Sequence, residues 1–497
     1  MNAQSRGGRG LRRWSASLVV LVLVAAVASY LFDIGPRYLG LNYPSPITHP
    51  LEVPPPLGLT LPSAKAPEPV ASTTPAKDVD PAAVRRALRR FVHDNRLGPK
   101  VSVGVAQLSD GSVVYRHGPD LVTPASTMKL LTTTAALAAL GPDRRFTTQV
   151  VSRLGSKQIT LVGGGDPLLV SRPLNGGSKV AAYPARADLD TLARATARAL
   201  RKVGRSRVRL MYDASLFTGP SVNPHWPASY ISENVVSPIS ALWVDEGRVR
   251  HDRIDRVADP ARVAAEAFAK ALERHKITVT GALREVTPVD QATSIAAVRS
   301  APLREIVQHI LEVSDNEGAE VLARQVAIAE GVPATFAGAV QAVRQVLAGL
   351  GVDTSGDRMY DGSGLSRQDR LHVSTLLSVI ETASSPRHPD LRPVVVDLPV
   401  AGFTGSLAYR FDSGPAAALG LGRVHAKTGT LSRVSALAGT VTSADGTVMA
   451  FVFDADAFAK PHTLAVRALL DKMAASLAGC ACAATDIGTP SASPATR

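Results

Sequence analysis

Ser126 and Lys129 stand three residues apart at the start of the run TPASTMKLLTTTAALAALG, Thr123 to Gly141. On a helix, positions i and i+3 share a face with their Cβ atoms about 5–6 Å apart, so this hydroxyl and this amine can meet. A serine hydroxyl is a weak nucleophile until a base takes its proton, and a lysine kept neutral is such a base. In isolation the pair reads equally as a capping serine and a solvated lysine, because the spacing alone arises by chance in a chain this long. Two tripeptides shift that balance. Ser314-Asp315-Asn316 interrupts two helical runs, Leu303 to Val313 and Glu317 to Ile328, where capping residues are also favoured. Lys427-Thr428-Gly429 sits in a strand-like run, where glycine often marks the close approach of a ligand or another backbone. A strand edge there offers backbone groups to an extended peptide, and Lys427 offers a positive charge to a carboxylate. A fully specified tripeptide arises by chance about once per several thousand residues, so the ordered trio is not accidental. The chemistry it points to is acyl transfer through a serine.

These residues need elements to position them. Pro124 precedes the helix that starts at Ser126, and Gly141 ends it. Alternating runs on either side of Ser109-Asp110-Gly111, and again around Ala444-Asp445-Gly446, predict two hairpins. Helices are predicted over Pro81–Asp94 and His462–Leu477. Strands from both ends of the chain with helices outside them predict one antiparallel sheet layered by helices. The interval from Leu303 to about Ile380 is largely helical, and Arg145 to about Val289 mixes strands with helices. The expected class is α+β, an antiparallel sheet flanked by helices plus an all-helical subdomain, with an inserted mixed α/β domain. Residues 82–144 and 290–480 form the main domain and 145–289 the insertion.

The chain has 497 residues, 45% of them hydrophobic, enough for two or three domains with cores of their own. A formal charge of +13 invites a nucleic-acid partner, but the basic residues are scattered, aromatic content is 5% and no nucleic-acid-binding signature is present. Diffuse basic charge suits anionic wall polymers or lipid headgroups as well. Arg6, Arg9, Arg12 and Arg13 precede an apolar run from Ala16 to Phe32, the pattern of an export signal, and Ala26-Val27-Ala28 offers a cleavage site. Residues 1–32 read equally as a cleaved signal or as a single uncleaved anchor in contact with the membrane. Either way, everything after Phe32 is expected outside the cytoplasm, in the periplasm or cell wall. Residues 33–81 form a proline-rich extended spacer, and 481–497 a tail of small residues. Cys480 and Cys482 are the only cysteines; a short-range disulfide and a link between chains are both open to them. They are too few for a metal site, and neither metal nor cofactor is expected.

With these residues in place, the chain resembles the serine D-alanyl-D-alanine peptidases, and most closely the class C low-molecular-mass penicillin-binding proteins. PASTMKLLTTTAALAALGPDRRFTT, LVGGGDPLL, SDNEGAEVLAR, YDGSGLSRQDRLH, GFTGSLAYR and AKTGTLSRVSALAG are similar to that family's blocks, in its order, from about Ala82 to Gly479. The resemblance implies a D,D-carboxypeptidase, with endopeptidase action on cross-links not separable by motif. Its substrates would be peptidoglycan stem peptides, and β-lactams would be covalent inhibitors. It implies Ser126 as nucleophile, Lys129 as base, and Ser314 as proton relay to the leaving amine. Asn316 would hold the peptide amide, and Lys427 and Thr428 the terminal carboxylate, beside Gly429. The N–H groups of Ser126 and Thr430 would form the oxyanion hole.

No glutamate between Lys129 and Ser314 begins a Glu-x-x-x-Asn pattern except Glu312, whose asparagine belongs to the second motif. A deacylating glutamate of the class A β-lactamase kind is therefore absent, which favours a peptidase over a β-lactamase. The interval between the first two motifs is long enough for the family's second domain and shorter than in members with a full third. His425 alternates onto the face of Lys427 and is a weaker candidate for the cleft. Asp361-Gly362-Ser363-Gly364 and Asp166 read as turns, and Asp245 is one of several acidic residues able to meet a substrate amine. The rival reading is a non-catalytic wall-binding scaffold; the intact Ser126, Lys129, Ser314, Asn316 and Lys427 argue against it.

Overall fold

The computed structural model describes residues 78–174, 183–250, 253–287 and 292–484. The expected export segment lies outside the described residues, as do most of the spacer and most of the tail. Among the described residues no helix is long and apolar enough to cross a membrane.

The first sheet joins the two ends of the chain. β1 (Lys100–Gln107) and β2 (Val113–His117) form the first predicted hairpin, and β12 (Val434–Thr442) and β13 (Val448–Asp456) the second. With β11 (Val424–Leu431) they give an antiparallel sheet ordered β11-β12-β13-β1-β2, which leaves β11 at an edge. One face packs on α1 (Pro81–Leu88) and α9 (Thr463–Ala478), burying Val84, Leu88, Phe451, Phe453, Leu470 and Met473. The first predicted helix stops at Leu88 and continues as turns to His93.

The other face shares an apolar core with α2 (Met128–Leu140), whose residues from Met128 to Leu137 are all buried. Around α2 pack α5 (Leu303–Val313), α6 (Asn316–Ala329), α7 (Phe336–Gly349) and α8 (Val373–Ser384), sharing one apolar core with it. A helix buried on all sides cannot be amphipathic, and its alanines let the neighbours approach closely. β3 (Leu121–Val122) and β10 (Leu371–His372) form a short antiparallel pair.

A second, mixed sheet holds β4 (Thr147–Ser152), β5 (Gln158–Val162), β6 (Arg207–Asp213), β7 (Thr278–Val279), β8 (Arg284–Glu285) and β9 (Thr293–Arg299). β5, β6, β7 and β8 pair in parallel, and β4 pairs antiparallel with β5 and β9. It packs on α3 (Leu189–Lys202) and α4 (Pro260–Arg274), burying Leu192, Leu200, Phe268 and Leu272. The sheet thus runs past the expected boundary at residue 289: β9 returns beside β4, because the chain must come back to its point of departure to rejoin the first domain. Cys480 and Cys482 are disulfide-bonded to each other, and the Cys482 carbonyl accepts from the Asp80 N–H at 2.8 Å.

Candidate active site

Ser126 lies in the short 3₁₀ turn Ala125–Thr127 that leads into α2, not in the α-helix proper. Ala125 takes a left-handed φ of 46°, which non-glycine residues rarely adopt. Two glycines hold the turn. A Cβ on Gly429 would stand 2.8 Å from the Pro124 carbonyl oxygen, so only glycine lets β11 come this close. Gly364, at φ +80°, lies on the Ala125 carbonyl, and a Cβ there would collide with that backbone. Gly141 shares the φ of +80° but has open space around it. Gly141→Ala is therefore expected to cost about 1 kcal/mol, the backbone term alone. Gly364→Ala is expected to cost at least about 2 kcal/mol more, since backbone must move. Denaturant midpoints of the two variants measure the difference; equal midpoints would mean that the Ala125 turn yields freely.

Lys129 is fully buried and donates from Nζ to Ser126 Oγ at 2.9 Å, Asn316 Oδ1 at 2.8 Å and the Ser363 carbonyl at 2.8 Å. Burial pushes its pKa down from 10.5 to about 8, against the pull of the Asp361, Asp315, Glu320 and Glu317 carboxyls. A neutral amine has two N–H groups and one lone pair. Asn316 and Ser363 accept the two hydrogens, and the lone pair then faces the Ser126 hydroxyl.

The Ser363 carbonyl is held in place by a buried cradle. The N–H groups of Gly362 and Ser363 donate to Glu320 Oε1 at 3.1 and 2.8 Å. Asp361 accepts from the Gly364 and Ser366 N–H groups and from Trp226 Nε1, each at 2.7 Å. Burial, with Asp361 beside it, pushes the Glu320 carboxyl up to about 8, and these backbone donors resist. The Asp361–Gly364 block is thus a turn, as its glycines predict, and it also supplies a direct ligand to Lys129.

Ser314 ends α5 in a left-handed conformation, φ 60° and ψ 41°. Its Oγ accepts from Lys427 Nζ at 2.8 Å, and Nζ also donates to the Thr428 carbonyl at 3.1 Å. Burial lowers the Lys427 pKa well below its usual value, and Lys129 lowers it further. The two amines share one low-dielectric pocket, where a charge on either disfavours a charge on the other. Asp315 caps α6 by accepting from the Gly318 N–H at 3.0 Å, so the predicted cap and the motif coincide. Asn316 Nδ2 donates to the Val235 carbonyl at 3.3 Å.

The outer edge of β11 follows from its register. Leu431 pairs with Val434 across a two-residue turn, so Thr430 and Thr428 fall at positions whose backbone groups point away from β12. The same parity turns the Ala426 N–H outward, where it donates to the Pro399 carbonyl at 3.0 Å. A cavity of about 710 Å³ lies beyond this edge, lined by Ser126, Ser314, Asn316, Thr428 and Thr430 with Tyr230, Val235, Leu365, Arg433 and Lys460.

The sequence-predicted residues therefore converge, with differences in depth. Lys129, Lys427 and Gly429 lie beneath the cavity wall rather than on it. The charge of Lys427 reaches the cavity through the Ser314 hydroxyl, and Thr428 Oγ1 donates to Ser406 Oγ at 2.9 Å. His425 is half-buried beside Val400 and does not line the cavity. Asp166 is a turn residue whose Oδ1 accepts from the Leu168 N–H, with burial raising its carboxyl to about 7. Asp245 accepts from the Ser171 N–H and lines a different cavity of about 560 Å³, beside Arg172 and Lys270. Tyr230, Val235, Leu365 and Glu320 were not singled out; Leu365 and Glu320 lie within the blocks YDGSGLSRQDRLH and SDNEGAEVLAR, and nothing local distinguishes Tyr230 and Val235.

Comparisons with known proteins show the family and the fold. The chain matches the family described as D-Ala-D-Ala carboxypeptidase 3 (S13) over residues 84–255 and 250–477. A carboxypeptidase of Mycobacterium tuberculosis is 32% identical over 491 residues, covering 95% of this chain and 99% of its own. Carboxypeptidase DacB of Mycolicibacterium smegmatis is 35% identical, covering 84% and 90%. Among solved structures, penicillin-binding protein 4 of Haemophilus influenzae superposes with a TM-score of 0.65 at 22% identity, covering 79% of this chain and 98% of that one. The same protein has been solved with a β-lactam, at a TM-score of 0.58 and 21% identity. By family match and by full-length relatives alike, the chain belongs to the D-Ala-D-Ala carboxypeptidase 3 (S13) family.

Proposed function

We propose that this carboxypeptidase is exported and removes the terminal D-alanine of peptidoglycan stem peptides through an acyl-enzyme on Ser126. The observation that carries the reading is the hydrogen bond between a buried lysine amine and a serine hydroxyl on the wall of a peptide-sized cleft. Neutral Lys129 takes the Ser126 proton as Oγ attacks the carbonyl between two D-alanines. The N–H groups of Ser126, in the 3₁₀ turn that leads into α2, and of Thr430, on the outer edge of β11, receive the developing oxyanion. Ser314 passes a proton to the leaving D-alanine amine. Asn316 holds the substrate amide, and Thr428, with Lys427 beneath, holds the terminal carboxylate. Water then hydrolyses the ester. A β-lactam follows the same first half and leaves slowly, since the class A deacylating glutamate is absent. The basic, apolar N-terminal segment supports export, with the enzyme secreted or held by one membrane segment.

The test is D-alanine release by the full chain from a peptide ending in D-alanyl-D-alanine, beside an L-alanyl control. Release from the first alone is expected. Because the base must be uncharged, the acylation rate should rise about tenfold per pH unit below about 8 and level off above it. A folded chain that releases no D-alanine and forms no β-lactam adduct would favour the scaffold reading instead.

A further inference from the structure

The run RRALRR, Arg85 to Arg90, places four exposed arginines on α1 and the turn that continues it. Val84, Leu88 and Phe91 beside them are buried in the core under the first sheet. Positions i, i+3 and i+4 share a helical face, so Arg86, Arg89 and Arg90 gather on one side. They line a cavity of about 550 Å³ together with Ala83, Ala87 and Leu419, which is 52% exposed. Among the described residues no acidic side chain lines this cavity. Arg86 pairs with Asp80 at 3.4 Å, and the Arg90 guanidinium lies 4.6 Å from the Phe91 ring centroid. Arg85, Arg89 and Arg90 have no carboxylate partner among the described residues. The corner that carries them is held by backbone hydrogen bonds. The Asp80 N–H donates to the Cys482 carbonyl at 2.8 Å, and the Ala484 N–H to the Asp78 carbonyl at 2.6 Å. The described structure begins at Asp78, so α1 is the element to which residues 33–77 and the apolar run Ala16–Phe32 are joined.

We propose that the arginine face of α1 and its cavity dock on an anionic phospholipid membrane, with lipid phosphates entering between Arg86, Arg89 and Arg90. The inference goes beyond the acyl-transfer reading and does not depend on it. A guanidinium matches two phosphate oxygens with two parallel N–H groups, and three guanidiniums around one cavity can share a phosphate layer. Each arginine held within a Debye length of an anionic surface strengthens binding about fivefold. The point where the chain enters favours a membrane over a free phosphate. A bilayer that holds Ala16–Phe32 is tethered to this corner, and a tether turns a weak surface contact into an intramolecular one. The helix α3 is also rich in arginine, but it lies within the inserted segment and its groups are partly engaged. Arg201 donates to the His275 carbonyl at 2.9 Å, and Arg194 to Thr191 Oγ1 at 3.3 Å. Docking by α1 suits the catalytic reading as well. α1 and α2 pack on opposite faces of the first sheet, so the sheet then stands between the membrane and the helix that Ser126 leads into.

The experiment is arginine footprinting of the full chain with phenylglyoxal, each modified guanidinium being located by peptide mass spectrometry. The readout is local to α1, so insertion of the N-terminal segment into a vesicle does not by itself produce it. With phosphatidylglycerol vesicles at low salt, modification of Arg86, Arg89 and Arg90 should slow about tenfold. It should keep its free rate with phosphatidylcholine vesicles, with inorganic phosphate at equal phosphate concentration, and in about 0.5 M salt. Arg198 of α3 and Arg207 of β6, both exposed, should keep their free rates throughout. In the variant carrying Arg86→Gln, Arg89→Gln and Arg90→Gln, the same vesicles should no longer protect Arg85. Its D-alanine release in free solution should stay within about twofold of wild type, since the sites are well separated. Unchanged rates on α1 with phosphatidylglycerol would overturn the proposal. Equal slowing of Arg198 and Arg207 would overturn it in favour of diffuse charge, and slowing by inorganic phosphate alone would assign the cluster to a free phosphate. Slowing by phosphatidylcholine would also overturn it, because the contact would then need no anionic lipid. A chain that is protected on α1 but releases no D-alanine would refute the acyl-transfer reading and leave the docking surface standing.

Discussion

Ser126→Ala is expected to abolish the covalent β-lactam adduct and to lower D-alanine release by about 10⁴-fold or more, while the fold and ground-state binding survive. The asymmetry follows from where Ser126 stands. Its hydroxyl is one of three partners of Lys129 Nζ, and Asn316 Oδ1 and the Ser363 carbonyl still hold the amine when it is gone. The turn around it is fixed by backbone, through the Gly429 and Gly364 contacts, and these need no serine side chain. The melting temperature should accordingly change by only a few degrees, as for a partly exposed polar truncation. On the proposed reading, binding of a D-alanyl-D-alanine peptide uses the β11 edge and Asn316, so its affinity should stay within about threefold. Intact-mass spectrometry after incubation with a penicillin reads the adduct directly. An adduct of wild-type yield on the alanine variant would show that another side chain is the nucleophile.

Much of this site was legible in the sequence, for a reason that also marks the limit. The three motifs are runs of adjacent residues, and each sits where a helix starts, a helix pair breaks or a strand runs, so local pattern alone places it. The helix over Leu303–Val313 has the predicted bounds because its apolar residues keep one face. The helix Leu189–Lys202 carries the same signal at Leu189, Leu192, Ala193 and Leu200, with Arg194, Arg198 and Arg201 on its exposed face, although it was not singled out in the sequence. What sequence could not give is contact between distant residues. Glu320 reaches Ser363 across 43 positions and Lys129 reaches the Ser363 carbonyl across 234, with no motif linking them. The left-handed conformations of Ala125 and Ser314 were equally hidden, since neither residue type favours them. Strain of this kind persists only where the surrounding packing imposes it. The depth of Lys427 was hidden on similar grounds: alternation along β11 gives the direction of its side chain but not the serine that lies over it.

Lys129→Met tests the other half of the chemistry. Methionine nearly matches the length and volume of lysine and suits a fully buried position, so it removes the base with little change of shape. Acylation is expected to fall by about 10²–10⁴, the usual worth of a positioned general base, in both the peptide and the β-lactam reaction. The rate that remains should lose the dependence on a group titrating near 8, because no amine of that pKa is left against Ser126. Stability is expected to move less than the rate. The variant removes a costly buried amine, which favours the fold. It also leaves Asn316 Oδ1 and the Ser363 carbonyl without their donor, which opposes it by about 1–3 kcal/mol for each unsatisfied group. Stopped-flow acylation across pH and a denaturant midpoint separate the two effects. A variant that acylates within tenfold of wild type would move the base to Lys427, the other buried amine, acting through Ser314. Lys427→Met would then carry the loss and the altered pH limb, whereas with Lys129 as base it should chiefly weaken the hold on the terminal carboxylate and raise KM.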